Sequence, residues 1–220
     1  MNALAALEPF VRAWRAVAPV QEYCGVCGQT INDGGGQGDD EGHDHLVDLE
    51  RRALLCACPT CAAVFAQPAA SPPARYRVVP TRVLVDPAFQ LEDAQWAALA
   101  IPVRLAFIFY NSRLARWVAL YPSPGGAAEA DVPPEAFRDL AAASRLVGEI
   151  APDVEALLVY GRRTRLQSFL VPIDEGYRLV GEVRRHWQGI NGGDLVWQRI
   201  ESFFGELRAR ARALVSEDAR

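Results

Sequence analysis

Apolar residues recur at spacings of three and four near the start of the chain, at Leu4, Leu7, Val11 and Trp14. That period predicts one amphipathic helix over residues 3–17. The periodicity then lapses. "NDGGGQGDDEGHDH" (32–45) is rich in glycine and aspartate and has no apolar period, so it reads as a loop. "HLVDLERRALLCACPTC" (45–61) regains alternation and predicts a short hairpin. "AQPAASPPARY" (66–76) is a Pro/Ala stretch with linker character. Beyond it, "VRLAFIFY" and "WVALYP" flank a polar turn, and "DVEALLVY" and "RLQSFLVP" do the same fifty residues on. A helical pattern follows each pair. The first carries Phe137, Leu140 and Val147, and the second carries Tyr177, Val180, Val183 and Trp187. "GINGG" (189–193) reads as a glycine C-cap of the second helix. Val196, Ile200, Phe203, Leu207, Ala211 and Leu214 form the stripe of a last helix.

These elements predict an α+β protein. An N-terminal helix (1–19) is followed by a zinc-ribbon-like region (20–66), a linker (67–75) and an α+β domain (76–220). The last is expected to be a four-stranded antiparallel sheet, built from two β-hairpin/helix units, with a C-terminal helix. The 220 residues and 50% hydrophobic content suffice for one moderate core plus a small appendage.

The cysteines add the chemistry. All five lie between 24 and 61. Cys24-x2-Cys27 and Cys58-x2-Cys61 are separated by thirty residues. Two thiolates on one tight turn can face a single tetrahedral ion, and two such turns close a four-sulfur shell. "CGVCG" places a glycine after its second thiol to relax the turn, whereas "CPTCA" has a proline and no such glycine. Zinc is the expected ion. Mononuclear iron of the rubredoxin type is the alternative, since spacing does not separate them. Cys56 is surplus. It reads as a small buried hydrophobe, as an alternate ligand to Cys58, or as a reactive thiol beside the metal. His43 and His45 flank Asp44, and read as a solvated tract or as extra or alternate ligands.

The net charge of −4 weighs against nucleic acid as a partner. Every basic residue is arginine, which reads as the coding bias of a GC-rich bacterial genome. Glu8, Arg12 and Arg15 interrupt any signal-peptide core, and no stretch reaches the roughly 18 apolar residues that span a bilayer. The expected location is the cytoplasm, where paired cysteines bind metal more often than they form disulfides. No P-loop, no G-x-G-x-x-G opening a helix and no G-x-S-x-G occurs, so no residue is assigned a catalytic role. His186 reads as a helix-end histidine, and Asp174 and Glu175 as an acidic pair favoured by the helix dipole. Trp187 and Trp197 read either as core or as anchors of a partner interface.

With those residues in hand, the chain resembles an uncharacterised bacterial family that carries only a domain-of-unknown-function label. The resemblance lies in "HLVDLERRALLCACPTC", "RYRVVP", "IPVRLAFIF", "YPSP", "PDVEALLV", "FLVPIDEGYRLVG" and "HWQGINGG". It runs from about Cys24 to Leu207. Members of that family lie among genes for actinobacterial-type [NiFe] hydrogenase and its maturation factors. The resemblance therefore implies an accessory or interaction protein, with a hydrogenase subunit or maturation factor as partner. "NDGGGQGDDEG" is a departure from the family pattern, and no catalytic residue carries over.

Overall fold

The computed structural model of the protein describes residues 22–31, 43–66, 75–161 and 165–214. The helix expected over 3–17, most of the Gly/Asp-rich loop and most of the 67–75 linker lie outside the described residues.

The described residues form an α+β structure with two sheets. The smaller has three strands in the order β2-β1-β3, all antiparallel: β1 (Asp44–Asp48), β2 (Ala53–Ala57) and β3 (Tyr76–Val78). The β1–β2 turn is closed by a side chain. Asp48 is fully buried, and its Oδ1 accepts the backbone N–H groups of Glu50 and Arg51 at 3.0 and 3.1 Å. The same carboxylate takes a bidentate fork from Arg75, at 3.1 Å from Nε and 2.7 Å from Nη2. Arg75 sits one residue before β3, so one buried carboxylate ties the turn to the third strand. Helix α1 (Pro59–Ala66) follows β2 directly.

The larger sheet has seven strands in the order β10-β4-β9-β8-β5-β6-β7. These are β4 (Leu84–Val85), β5 (Leu105–Asn111), β6 (Arg116–Ser123), β7 (Gly126–Ala130), β8 (Glu155–Tyr160), β9 (Gln167–Pro172) and β10 (Arg212–Ala213). The helices are α2 (Asp93–Ala98), α3 (Pro134–Ala143), α4 (Arg145–Glu149), α5 (Ile173–His186) and α6 (Gly193–Arg210). They cover both faces. Phe107, Leu158, Phe169 and Val171 share a core with Leu179 and Val183 of α5 and with Ile200, Phe204 and Leu207 of α6. The alternate residues Ala106, Ile108, Leu157, Val159 and Leu170 pack with Trp96, Phe137, Leu140, Leu146 and Val147 on the other side. Burial on both faces is why "LAFIF" and "ALLVY" are continuous apolar runs.

The sheet differs from the four strands expected. The two hairpins lie side by side through β5–β8, but β4, β7 and β10 extend the sheet, and parallel β10–β4 pairing makes it mixed. Strands β4 and β10 have two residues each, too few to show a period, and β7 is "GAAEA", poor in strand-favouring side chains. Ser144 is extended and splits the first helix into α3 and α4, which lets Leu146 and Val147 enter the same core as Phe137 and Leu140. "GINGG" is not the cap of α5, which ends at Trp187 with φ −66°. Its Gly192 (φ +84°) is instead the N-cap of α6, and a Cβ there would meet Val196 at 2.8 Å. Helix α6 ends at Arg210, so Leu214 of the expected stripe lies beyond it, after β10. Among the described residues, no helix is long and apolar enough to cross a membrane.

Two predictions follow from this packing. A Cβ on Gly176 of α5 would stand 2.7 Å from the Phe107 ring, whereas one on Gly181 of the same helix meets nothing within 4 Å. Gly181→Ala should therefore stabilise by roughly 0.5–1 kcal/mol through helix propensity. Gly176→Ala should destabilise by about 1–3 kcal/mol, because overpacking outweighs that gain. Chemical denaturation of both variants checks the opposite signs. The second concerns Asp48. The Arg75 fork, against the opposing effect of burial, holds its carboxyl down at about 2, with help from the Arg51 and Glu50 amides. Its stabilising effect should be complete above the unfolded value of about 4 and fade as pH falls through about 2. Arg75→Gln leaves a buried carboxylate without its cation and should cost about 3 kcal/mol or more. Asp48→Asn leaves a half-exposed arginine that water can solvate, and should cost less. Paired urea melts at pH 7 read the order.

Candidate metal centre

The first cysteine pair lies on a tight turn. Cys24 N–H donates to Gln29 O at 2.8 Å, Gly28 N–H donates to Cys24 O at 2.9 Å, and Tyr23 bridges Thr30 across the turn. Gly28 has φ +73°, a left-handed conformation that the glycine after Cys27 supplies without strain. The turn is docked on β2, where Gly25 N–H donates to Cys56 O at 2.8 Å.

The second pair is held differently. Cys58 follows the last residue of β2, Pro59 is the first residue of α1, and Cys61 lies in that helix's first turn. Ala62 N–H donates to Cys58 O at 3.0 Å. Residues three apart on a helical turn share a side, so this pair converges without a left-handed residue. That is why "CPTCA" does without the glycine that "CGVCG" has. Proline at the first helical position costs no hydrogen bond, since its N–H would have had no helical partner.

The four sulfurs of Cys24, Cys27, Cys58 and Cys61 all lie within 4.8 Å of one another. Sulfurs about 2.3 Å from one tetrahedral ion stand about 3.8 Å apart. Cys27 Sγ and Cys58 Sγ are 3.8 Å apart. Cys24 and Cys58 are buried and Cys27 is exposed. Burial opposes ionisation of Cys24, yet the backbone N–H groups of Cys27, Cys58 and Val26 hold its thiol down at about 6. Cys61 is pushed up to about 12 by burial and by the three thiols around it. Four sulfurs so close can all lose their protons to solvent only if a cation takes the protons' place, which is what metal binding achieves. The donor set and spacing fit a four-coordinate metal ion held by Cys24, Cys27, Cys58 and Cys61.

Cys56 is not part of that shell. It is half-buried, and its thiol clusters with His43 and His45, the ligand atoms of the three lying within 4.8 Å of one another. His45 and Cys56 are directly opposite in the β1–β2 register. The two histidine Nε2 atoms are 3.3 Å apart. His45 Nδ1 lies 2.8 Å from Asp174 Oδ2, and that hydrogen bond raises the imidazole above its ordinary value against the effect of burial. Asp174 was expected to serve the dipole of α5 alone. Its Oδ1 does accept Glu175 N–H at 2.9 Å, but its other oxygen holds a histidine 129 positions away. Nothing local in the sequence signals that contact.

His186 sits in the last turn of α5, with Nδ1 at 3.0 Å from Glu182 O. Trp187 and Trp197 are half-buried against the core of α5 and α6. Their indole N–H groups donate to Gly189 O at 2.9 Å and Asn191 O at 3.2 Å, so both brace the glycine loop. The exposed apolar side chain of that loop is Ile190, at 94%.

Replacing Cys24 or Cys61 by serine should release the ion of the four-sulfur centre and loosen the small sheet around it. Cys56→Ala should leave that ion in place. Metal analysis after gel filtration, with amide exchange over residues 43–66, measures both outcomes. Loss of that ion from the Cys56 variant, with retention in a Cys58→Ala variant, would reassign the shell.

No curated protein matches the chain, and no solved structure matches it. A family model does, over residues 23–211, from beside the first cysteine to the end of α6. The chain thus belongs to a family of unknown function, DUF5947.

Proposed function

We propose that this protein is a metal-binding accessory protein whose four-cysteine centre is a zinc ribbon. The remaining surface docks a protein partner in [NiFe] hydrogenase function or maturation. The convergence of Cys24, Cys27, Cys58 and Cys61 at tetrahedral spacing carries the metal half of the reading. A structural zinc also suits the small sheet. Its own core is little more than Cys24, Ile31, Leu46, Ala57 and Cys58, so an ion would supply cohesion that burial does not. The hydrogenase half rests on the sequence resemblance and the gene setting of that family.

The docking surface in this reading is the loop between α5 and α6. Trp187 and Trp197 hold its backbone from beneath, and Ile190 presents an apolar side chain to solvent. A braced loop loses little conformational freedom on binding, which favours it as an anchor.

One observation favours a second reading, electron transfer at rubredoxin-like iron. Cys27 is exposed, which gives a redox partner close approach to a ligand sulfur. A visible spectrum of protein purified without added metal separates the two. Zinc gives a colourless protein, whereas ferric iron in a thiolate shell absorbs strongly in the visible. Affinity capture from the native host tests the partner. Recovery of a hydrogenase subunit or maturation factor, lost with Ile190→Asp, is the expected result. Capture of nothing by wild-type protein in hydrogenase-expressing cells would sink the partner half and leave the metal half standing.

A further inference from the structure

The histidine–cysteine cluster on the β1–β2 hairpin has a geometry that the four-sulfur centre does not explain. His45 and Cys56 are cross-strand neighbours, so their side chains leave the same face of the hairpin. His43, two residues before His45, joins them, with its ring edge-on to the other imidazole at 86°. Two imidazole nitrogens each about 2.0–2.1 Å from one tetrahedral ion stand about 3.3–3.4 Å apart. The Nε2–Nε2 distance is 3.3 Å.

The carboxylates around the cluster face the other side of each ring. Asp174 Oδ2 is 2.8 Å from His45 Nδ1, and Glu22 Oε2 is 3.7 Å from His43 Nδ1. Only the Asp174 contact is short enough for a hydrogen bond, and a carboxylate bonded at Nδ1 keeps the His45 proton there and turns its Nε2 lone pair to the cluster, as metal-binding histidines require. In neutral His45 that lone pair then points at the Nε2 of His43, inside a site whose third corner is a thiol. Two imidazoles and a thiolate suit a borderline-soft divalent ion.

We infer that His43 Nε2, His45 Nε2 and Cys56 Sγ form a second metal site for a zinc-class divalent ion, separate from the four-cysteine centre, with Asp174 as the residue that positions His45. Three protein ligands leave the fourth position of a tetrahedral ion for water or an outside ligand. The His45 side chain is 30% exposed, so that position is within reach of solvent. The two sites share a strand. The carbonyl of Cys56 receives the Gly25 N–H of the first cysteine turn, while its thiol belongs to the second site. Asp174 opens α5, so an ion at the second site would fasten the hairpin to the large sheet's helical layer.

The test is an anaerobic titration of the metal-free, full-length chain with Co2+, read by absorption. Two equivalents should bind. The four-sulfur centre gives strong thiolate-to-cobalt charge transfer, and the second site gives weaker charge transfer with d–d bands at shorter wavelength, because nitrogen replaces sulfur. Cys56→Ala and His45→Gln should each lose the second equivalent and keep the first, and Cys24→Ser should lose the four-sulfur charge-transfer bands. Asp174→Asn keeps all ligands and should weaken the second site 10–100-fold without changing the first. Its far-UV circular dichroism should match wild type. Uptake of a single equivalent with a pure four-sulfur spectrum would overturn the second site and leave the four-cysteine reading intact. The two histidines would then be joined by an ordinary Nε2–H···Nε2 hydrogen bond. A second equivalent that survives both Cys56→Ala and His45→Gln would overturn it as well.

Discussion

The small sheet hangs on the carboxylate of Asp48. It is buried, yet it is ionised, because Arg75 grips both oxygens and the turn amides of Glu50 and Arg51 point at it. Closing that turn sets the β1–β2 register, and the register decides everything chemical nearby. It puts His45 opposite Cys56 and brings the end of β2 to the point where Cys58 and α1 begin. A slip of one residue would put His45 and Cys56 on opposite faces.

The same device recurs in the large sheet. Glu155, Asp86 and Asp153 are buried carboxylates, and each is met by a partly exposed arginine: Arg82, Arg145 and Arg77. Arginine suits the task, because its fork can hold two oxygens while the far side stays hydrated. The absence of lysine, read from composition as coding bias, therefore has a structural counterpart. Arg77 and Asp153 also join the two sheets, since Arg77 belongs to β3 and Asp153 precedes β8.

The hairpin does not stand apart from the large sheet. Val47 and Leu54 pack against the core that contains Phe107 and Ile173, and His45 is bonded to the first turn of α5. The four-sulfur cluster lies at the open end of the same hairpin, reached through Cys56 O and the Gly25 amide. The cysteine turn, the hairpin and α5 are thus joined by a short chain of hydrogen bonds.

The sequence by itself determined which four cysteines come together. Two C-x2-C pairs announce themselves because each pair is local, and a turn needs only its own residues to converge two thiols. It also determined the central strands, since "LAFIF" and "ALLVY" are apolar throughout and must be covered on both faces. It did not disclose the short strands β4 and β10, whose two residues carry no period and whose pairing joins Leu84 to Arg212 and Val85 to Ala213, far apart along the chain. Nor did it show whether Cys56 belonged to the shell, since residues 56 and 58 both lie within reach of a ligand's place along the chain. Tertiary structure decided that by seating the first turn on the backbone of Cys56 while its thiol met His43 and His45. Asp174 was the least legible residue of all. An acidic residue at a helix start is fully explained by the dipole, and only folding brings it beside His45, where its second oxygen finds a partner.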